Sequence, residues 1–313
     1  PPLTSVFVGG GTPTLVPADG LVEVLAGLPL TPGAEVTVEA NPDTVSAASL
    51  RTYREGGVTR MSFGVQSMQP HVLAALGRTH DPANVRRAVA WTREAGFETF
   101  NLDLIMGAAG ETAADWEATL DAVLELEPPH VSAYGLTVEP GTPLAADPDR
   151  HPDDDDQADK YLLAERRLGR AGLRWYEVSN WARPGHECRH NRLYWDAGDY
   201  LGFGCAAHSH RGGRRWWNLR TPERYLDAVE SGASTEAAGE SLDPAQQTLE
   251  ALQLALRTRE GVPARALDLD DPALDGLIAV VGDRAVLTPS GRLLANEVAV
   301  RLRLDGVPVS VSP

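Results

Sequence analysis

Short runs of apolar and β-branched residues recur along the first half of the chain, at residues 5–8, 36–39, 60–65, 99–105 and 131–138. Between them, apolar positions repeat at helical spacing. That alternation predicts parallel strands joined by crossover helices, an α/β fold. Residues 112–127 show how the signals agree: Thr112 and Asp115 form a Thr-x-x-Asp start, Trp116, Leu120, Val123 and Leu124 share one face, and Pro128-Pro129 ends the run. A second helix opens at Asp81-Pro82 and closes before Gly96. The acidic run Asp153 to Asp156 reads as a solvated loop ahead of a helix over residues 158–170.

After about residue 183 the alternation stops, and a stretch rich in Trp, His, Gly and Arg continues to Arg220. Helical patterns then resume. A strong amphipathic stretch covers residues 248–257, and Gly282-Asp283 marks a hairpin. The expected organisation is a partial parallel (β/α) barrel over residues 1–183, a connecting region over 184–242, and a mainly helical, winged-helix-like domain over 243–313. With Pro1 first and a buried-strand pattern already under way at Val6, the chain reads as starting in mid-fold.

Composition narrows the function classes. The 313 residues include 42% hydrophobic and 23% charged, and no apolar run approaches the roughly 20 residues of a membrane span. The net charge of −16 opposes general binding to phosphate backbones, so small molecules or proteins are the expected partners, not nucleic acid. Two cysteines, Cys188 and Cys205, cannot form a disulfide framework. A cytoplasmic location is the default expectation.

Candidate chemistry gathers where strands end. Gly9-Gly10-Gly11-Thr12, Glu39-Ala40-Asn41-Pro42, Gln66-Ser67 and Asp103 near Gly107 would face one mouth of a parallel barrel. Glycines there let backbone groups approach a ligand, although a tight strand-to-loop bend explains them equally well. Glu39 and Asp103 suit amines or ribose hydroxyls, Gln66 a carboxylate or hydroxyl, and Arg78 a carboxylate. Each would also serve as a salt-bridge partner at the mouth, and the two carboxylates could act as acid–base groups of an unrelated barrel enzyme. Further on, His186, Cys188, His190, Cys205, His208 and His210 are dense enough to weigh metal binding. Their spacing fits no standard zinc pairing. One imidazole, with aromatic and cationic surface beside it, would suffice for haem; the alternative is a turn histidine beside core tryptophans. His208 reads as structural and Cys205 as a small buried residue.

The segments 6–17, 36–43, 62–80 and 100–111, in this order and spacing, resemble the radical S-adenosylmethionine enzymes related to the oxygen-independent coproporphyrinogen III oxidase. The resemblance covers nearly the whole chain. His190-Asn191-Arg192-Leu193-Tyr194-Trp195 is similar to the His-Asn-x-x-Tyr-Trp motif of that family's haem-chaperone subgroup. It implies a partial barrel of the radical S-adenosylmethionine type, here without its first strand. It further implies that Gly10, Gly11 and Thr12 hold the methionyl end of S-adenosylmethionine, that Glu39, Gln66, Arg78 and Asp103 complete the site, and that the backbone near Thr137 faces adenine. Haem would be held by His190 as iron ligand, with Tyr194 and Trp195 beside it. The family's [4Fe–4S] cluster needs three thiolates of a Cys-x-x-x-Cys-x-x-Cys loop; those ligands are not among the two cysteines of this sequence, so a cluster is expected only in a full-length form. The implied function is haem binding and delivery to acceptor proteins, membrane-associated respiratory enzymes among the candidates, with a homodimer compatible. The alternative is oxidative decarboxylation of coproporphyrinogen III.

Overall fold

The first unit owes its architecture to a strict alternation within its strands. In the computed structural model, which describes residues 2–304, the elements β1 (Leu3–Val8), α1 (Ala18–Ala26), β2 (Leu30–Ala40), α2 (Ala47–Glu55), β3 (Arg60–Gln66), α3 (Pro70–Ala75), α4 (Pro82–Glu94), β4 (Thr99–Met106), α5 (Ala113–Leu124), β5 (His130–Gly135) and α6 (Asp154–Arg170) follow one another. A hairpin of β6 (Arg174–Glu177) and β7 (Asn180–Ala182) then closes the sheet in the order β1-β2-β3-β4-β5-β7-β6. Strands β1 to β5 are all parallel, as the alternation predicts, and β7 runs antiparallel to β5. The strand order is open, that of a partial barrel.

Val36, Val38, Met61, Phe63, Val65, Phe100, Leu102, Leu104, Val131 and Ala133 are buried on one face of this sheet. The alternate positions carry Glu35, Thr37, Glu39, Arg60, Ser62, Asn101, Asp103, His130 and Ser132. Since side chains alternate with a period of two, the second face is polar although most of it is also buried. Parallel strands covered on both sides are ordinarily apolar throughout, so a polar inner face marks a place for chemistry.

Local signals explain the helices. Thr112 and Asp115 form a reciprocal capping box at the start of α5, and Trp116 is fully buried with its indole N–H donating to the Lys160 carbonyl at 2.9 Å. α5 ends at Leu124, a few residues before the prolines. The acidic run is not a loop. Asp153 caps α6, its side chain accepting from the Asp156 N–H at 2.8 Å, and Asp154 to Asp156 form the first turn, where carboxylates meet the positive end of the helix dipole. Strand β5 stops at Gly135 and not at residue 138, and residues 136–139 run on as loop.

The chain divides into two compact units, Pro1–His190 and Asn191–Pro313. At the division lies a short helix, α7 (Arg189–Trp195). The second unit holds an antiparallel sheet of β8 (His208–Arg211), β9 (Arg214–Asn218) and β10 (Glu236–Ser241), with α8 (Pro222–Ser231) between β9 and β10. It continues through α9 (Pro244–Ala255), β11 (Val262–Pro263), β12 (Ile278–Val281), β13 (Arg284–Leu287), α10 (Pro289–Leu293) and α11 (Ala295–Ala299). The expected hairpin is β12–β13, turning at Gly282 with φ of 63°. Leu252, Leu256, Val262, Leu267, Leu274, Leu287 and Val298 form one core. The last part of the expected C-terminal domain, residues 305–313, lies outside the described residues. Cys205 is exposed, contrary to the expectation of a buried residue, and His208 sits on β8 stacked against Trp217 at 5.7 Å.

Candidate functional site

At the carboxyl ends of β1 to β5 lies a cleft of about 490 Å³, lined by Gly10, Gly11, Thr12, Glu39, Ser62, Gly64, Gln66, Arg78, Asp103, Tyr134 and Thr137 among others. That volume is within the range of about 300–1,000 Å³ usual for small-molecule sites. The structure thus brings together all eight residues singled out for S-adenosylmethionine. They come from six places in the fold: Gly10 to Thr12 follow β1, Glu39 stands near the end of β2, Gln66 ends β3, Arg78 follows α3, Asp103 lies on β4, and Thr137 follows β5.

The Gly10 N–H donates to Glu39 Oε2 at 3.1 Å, tying the glycine turn to the neighbouring strand. A Cβ at Gly10 or Gly11 would meet nothing within 4 Å, so the backbone there is open to the cleft, and Gly10 takes a φ of 125° that favours glycine. Gln66 also has positive φ, 62°, at a bulge where β3 shifts register against β4. A bulge re-aims a side chain, and here the Gln66 amide is turned back over Gly64, where a Cβ would stand 2.8 Å from Nε2.

Beneath the cleft the polar face forms one directed chain of hydrogen bonds. Asp103 accepts from Ser62 Oγ at 2.8 Å and from Asn101 Nδ2 at 2.7 Å. Because Asn101 Nδ2 faces that carboxylate, its Oδ1 is the acceptor for His130 Nδ1 at 2.6 Å. His130 therefore carries its proton on Nδ1, and Tyr176 donates to Nε2 at 2.8 Å while its oxygen accepts from the Cys188 N–H at 3.3 Å. Every donor points towards Asp103. Burial holds both Asp103 and Glu39 above the ordinary carboxylate range, opposed at Asp103 by these hydrogen bonds and at Glu39 by the Gly10 N–H.

Burial pushes His130 well below its ordinary value of 6.5. Below about pH 6.5 the unfolded chain therefore takes up a proton that the folded chain refuses, and stability falls as pH falls. The expected result is that the parent loses up to about 1.4 kcal/mol per pH unit relative to His130→Gln below pH 6.5, measured by urea unfolding at stepped pH. Parallel pH curves for the two proteins would count against a neutral buried imidazole.

The histidine-rich stretch is dispersed. His190 Nδ1 lies 3.1 Å from Ser5 Oγ, and its ring stacks on Phe7 at 5.3 Å between centroids. Tyr194 lies one helical turn further along α7, half-exposed and edge-on to Tyr200 at 4.5 Å. Trp195 ends the same helix. His210 Nδ1 faces the Gly198 carbonyl at 3.0 Å, and the Cys188 thiol points at Glu35 Oε1 at 3.4 Å. Among the described residues no three His, Cys, Asp or Glu side chains group as a metal site. Sequence reasoning missed Ser5, Glu35, Ser62, Asn101, His130 and Tyr176. The signal available for most of them was polar residues at alternate positions inside apolar strands.

Five parallel strands, a glycine turn after the first, and a polar cleft at their carboxyl ends define a partial-barrel protein of the Radical SAM superfamily, whose family pattern matches residues 1–123. The heme chaperone HemW of Mycobacterium tuberculosis is 42% identical over 313 residues, 95% of this chain and 80% of that protein. HemW of Escherichia coli is 35% identical over 310 residues, 93% of this chain and 82% of that protein. The solved coproporphyrinogen III oxidase (HemN) of E. coli superposes with a TM-score of 0.81 at 23% identity, covering 95% of this chain and 77% of that one, which shows a shared fold. The chain belongs to the HemW family, within the radical S-adenosylmethionine proteins related to that oxidase.

Proposed function

We propose that this protein is a haem chaperone: it binds haem through His190 and hands it to acceptor proteins, with S-adenosylmethionine held in the cleft. The observation that carries this reading is the 42% identity, over 95% of the chain, to a heme chaperone. Likeness to the oxidase at 23% identity supports the fold and says nothing for decarboxylation. No helix among the described residues is long and apolar enough to cross a membrane.

The cleft fits S-adenosylmethionine in donor chemistry. Open backbone at Gly10 and Gly11, with Thr12, suits the methionyl end; Arg78 suits its carboxylate; Glu39 and Asp103 suit the ammonium and the ribose hydroxyls; the backbone at Thr137 suits adenine. Bound there, the cofactor would supply a sulfonium-linked adenosyl group. This chain's own part is to orient it, and to offset its positive charge with two carboxylates that burial has left easily protonated. The sequence's two cysteines do not fit a [4Fe–4S] cluster, which needs three thiolates.

The test is a haem titration of the purified chain followed in the Soret region. His190→Ala should weaken binding at least about 10-fold and remove the spectrum of an imidazole-ligated haem, as loss of an axial ligand requires. Unchanged affinity and spectrum would remove His190 as the ligand.

A further inference from the structure

Ser5 and Glu35 face each other across β1 and β2 as register partners. Both grip residue 190. The hydroxyl of Ser5 lies 3.1 Å from the ring Nδ1 of His190, while the two Glu35 carboxylate oxygens accept from the backbone N–H of Arg189 at 3.1 Å and of His190 at 3.0 Å. Glu35 is 6% exposed, so these bonds to its carboxylate are sheltered from water. Phe7, two residues beyond Ser5 and therefore on the same face of β1, stacks on the imidazole with 27° between the planes. Backbone, ring edge and ring face of His190 are thus each fixed by a different side chain of the first two strands.

We propose that Ser5 is the positioning residue of the haem ligand: its hydroxyl, within hydrogen-bond reach of Nδ1, holds the imidazole in place. The inference rests on the reading of His190 as that ligand. Iron takes the lone pair of one ring nitrogen, so in the neutral imidazole the proton sits on the other. With iron on Nε2 the proton would sit on Nδ1 and be donated to Ser5 Oγ, 3.1 Å away. A hydrogen bond at the far nitrogen orients a histidine ligand and raises its basicity, and its loss ordinarily weakens metal binding about 10–100-fold. The seat also separates two functions. Ser5 and Gly10 are five residues apart along an extended strand, roughly 16 Å at about 3.3 Å per residue, so the ligand is held towards the opposite end of β1 from the glycine turn.

Threonine and valine are isosteric, tolerated in a strand, and differ in the hydroxyl. Ser5→Thr and Ser5→Val, prepared as the full chain with ferrous haem, therefore isolate the hydrogen bond, and His190→Ala serves as reference. Ser5→Thr should keep the parent's affinity and iron–histidine stretching band in the resonance Raman spectrum. Ser5→Val should keep the band but move it to lower wavenumber, with affinity reduced about 10-fold. His190→Ala should lack it. If Ser5→Val matches Ser5→Thr in band position and affinity while His190→Ala loses the band, the positioning role is overturned and the chaperone reading stands. A band surviving in His190→Ala overturns both.

Discussion

Replacing Lys160 by methionine is expected to destabilise the first unit by about 3–5 kcal/mol, read as a lower urea midpoint at unchanged slope. The Lys160 side chain is 1% exposed and reaches Glu111 Oε2 at 3.2 Å, Asp156 Oδ2 at 2.6 Å and the Glu111 carbonyl at 2.8 Å. Glu111 has no exposed side-chain surface, and its Oε2 also accepts from the Gly107 N–H at 2.7 Å. Removing the ammonium leaves a buried carboxylate without its counter-charge, which costs far more than the intact pair contributes. Burial already holds the Glu111 carboxyl above its ordinary range, and Lys160 opposes that shift. Without the lysine the folded chain takes up the proton at still higher pH than the unfolded chain does. The variant should therefore regain stability relative to the parent as pH falls through that raised value. Glu111→Leu combined with Lys160→Met should recover part of the loss, because no buried charge then stands alone. A loss under about 1 kcal/mol for Lys160→Met would show that the pair is not buried as described.

That pair matters to the site because α6 braces the loops that form its rim. Gln157, one turn from Lys160 on α6, donates to the Leu136 carbonyl at 2.9 Å and packs where a Cβ on Gly107 or Gly135 would stand. Gly135 and Leu136 line the cleft. The acidic start of α6 is thus joined to the site through packing that no local pattern announces. Its four consecutive aspartates look like any solvated run; what makes them a helix start is the cap at Asp153 and the reach of Asp156 to a lysine four residues on.

Where the chain is locally consistent, the sequence was legible. All five parallel strands are present, as are the capped helix after Thr112 and the turn at Gly282, because apolar period, caps and breakers coincide there. The hairpin β6–β7 was not expected: it has Val178-Ser179 between short strands, with none of the Asn-Gly or Asp-Gly chemistry that signals a tight turn. Likewise β8 and β9 hide in a stretch whose Trp, Arg and His residues suggested chemistry before structure, and β10 lies beyond residue 220, where the pattern reads as helical. The cleft residues could be named because strand ends of a parallel sheet converge. The chain from Asp103 to Tyr176 could not, since it depends on which residues of β3, β4, β5 and β6 stand side by side, and register is a tertiary fact.

Asp103→Asn should strike both the fold and the proposed cofactor site. Asp103 is where the directed hydrogen bonds end: Ser62 and Asn101 both donate to it, and the chain behind Asn101 runs through His130 and Tyr176 without an acceptor to spare. An asparagine must turn its own N–H₂ towards one of these donors, leaving two donors opposed in a buried place, at a cost of about 1–3 kcal/mol in unfolding free energy. For S-adenosylmethionine the loss is of one charge-assisted acceptor, again about 1.5–3 kcal/mol, or about 10–100-fold in affinity by calorimetry. The pH profile separates the two effects. Because burial raises the Asp103 carboxyl above its ordinary range, a cationic ligand must displace its proton, and affinity should rise with pH through that region with release of a proton to the buffer. In Asp103→Asn that rise should weaken, leaving the contribution of Glu39, whose carboxyl is also raised by burial and by the nearby Asp103 charge. Substitution of Asp103 takes away that charge as well, so the remaining rise should move to lower pH. An affinity loss with the parent's pH profile intact would mean that Asp103 supports the cleft without meeting the ligand's charge.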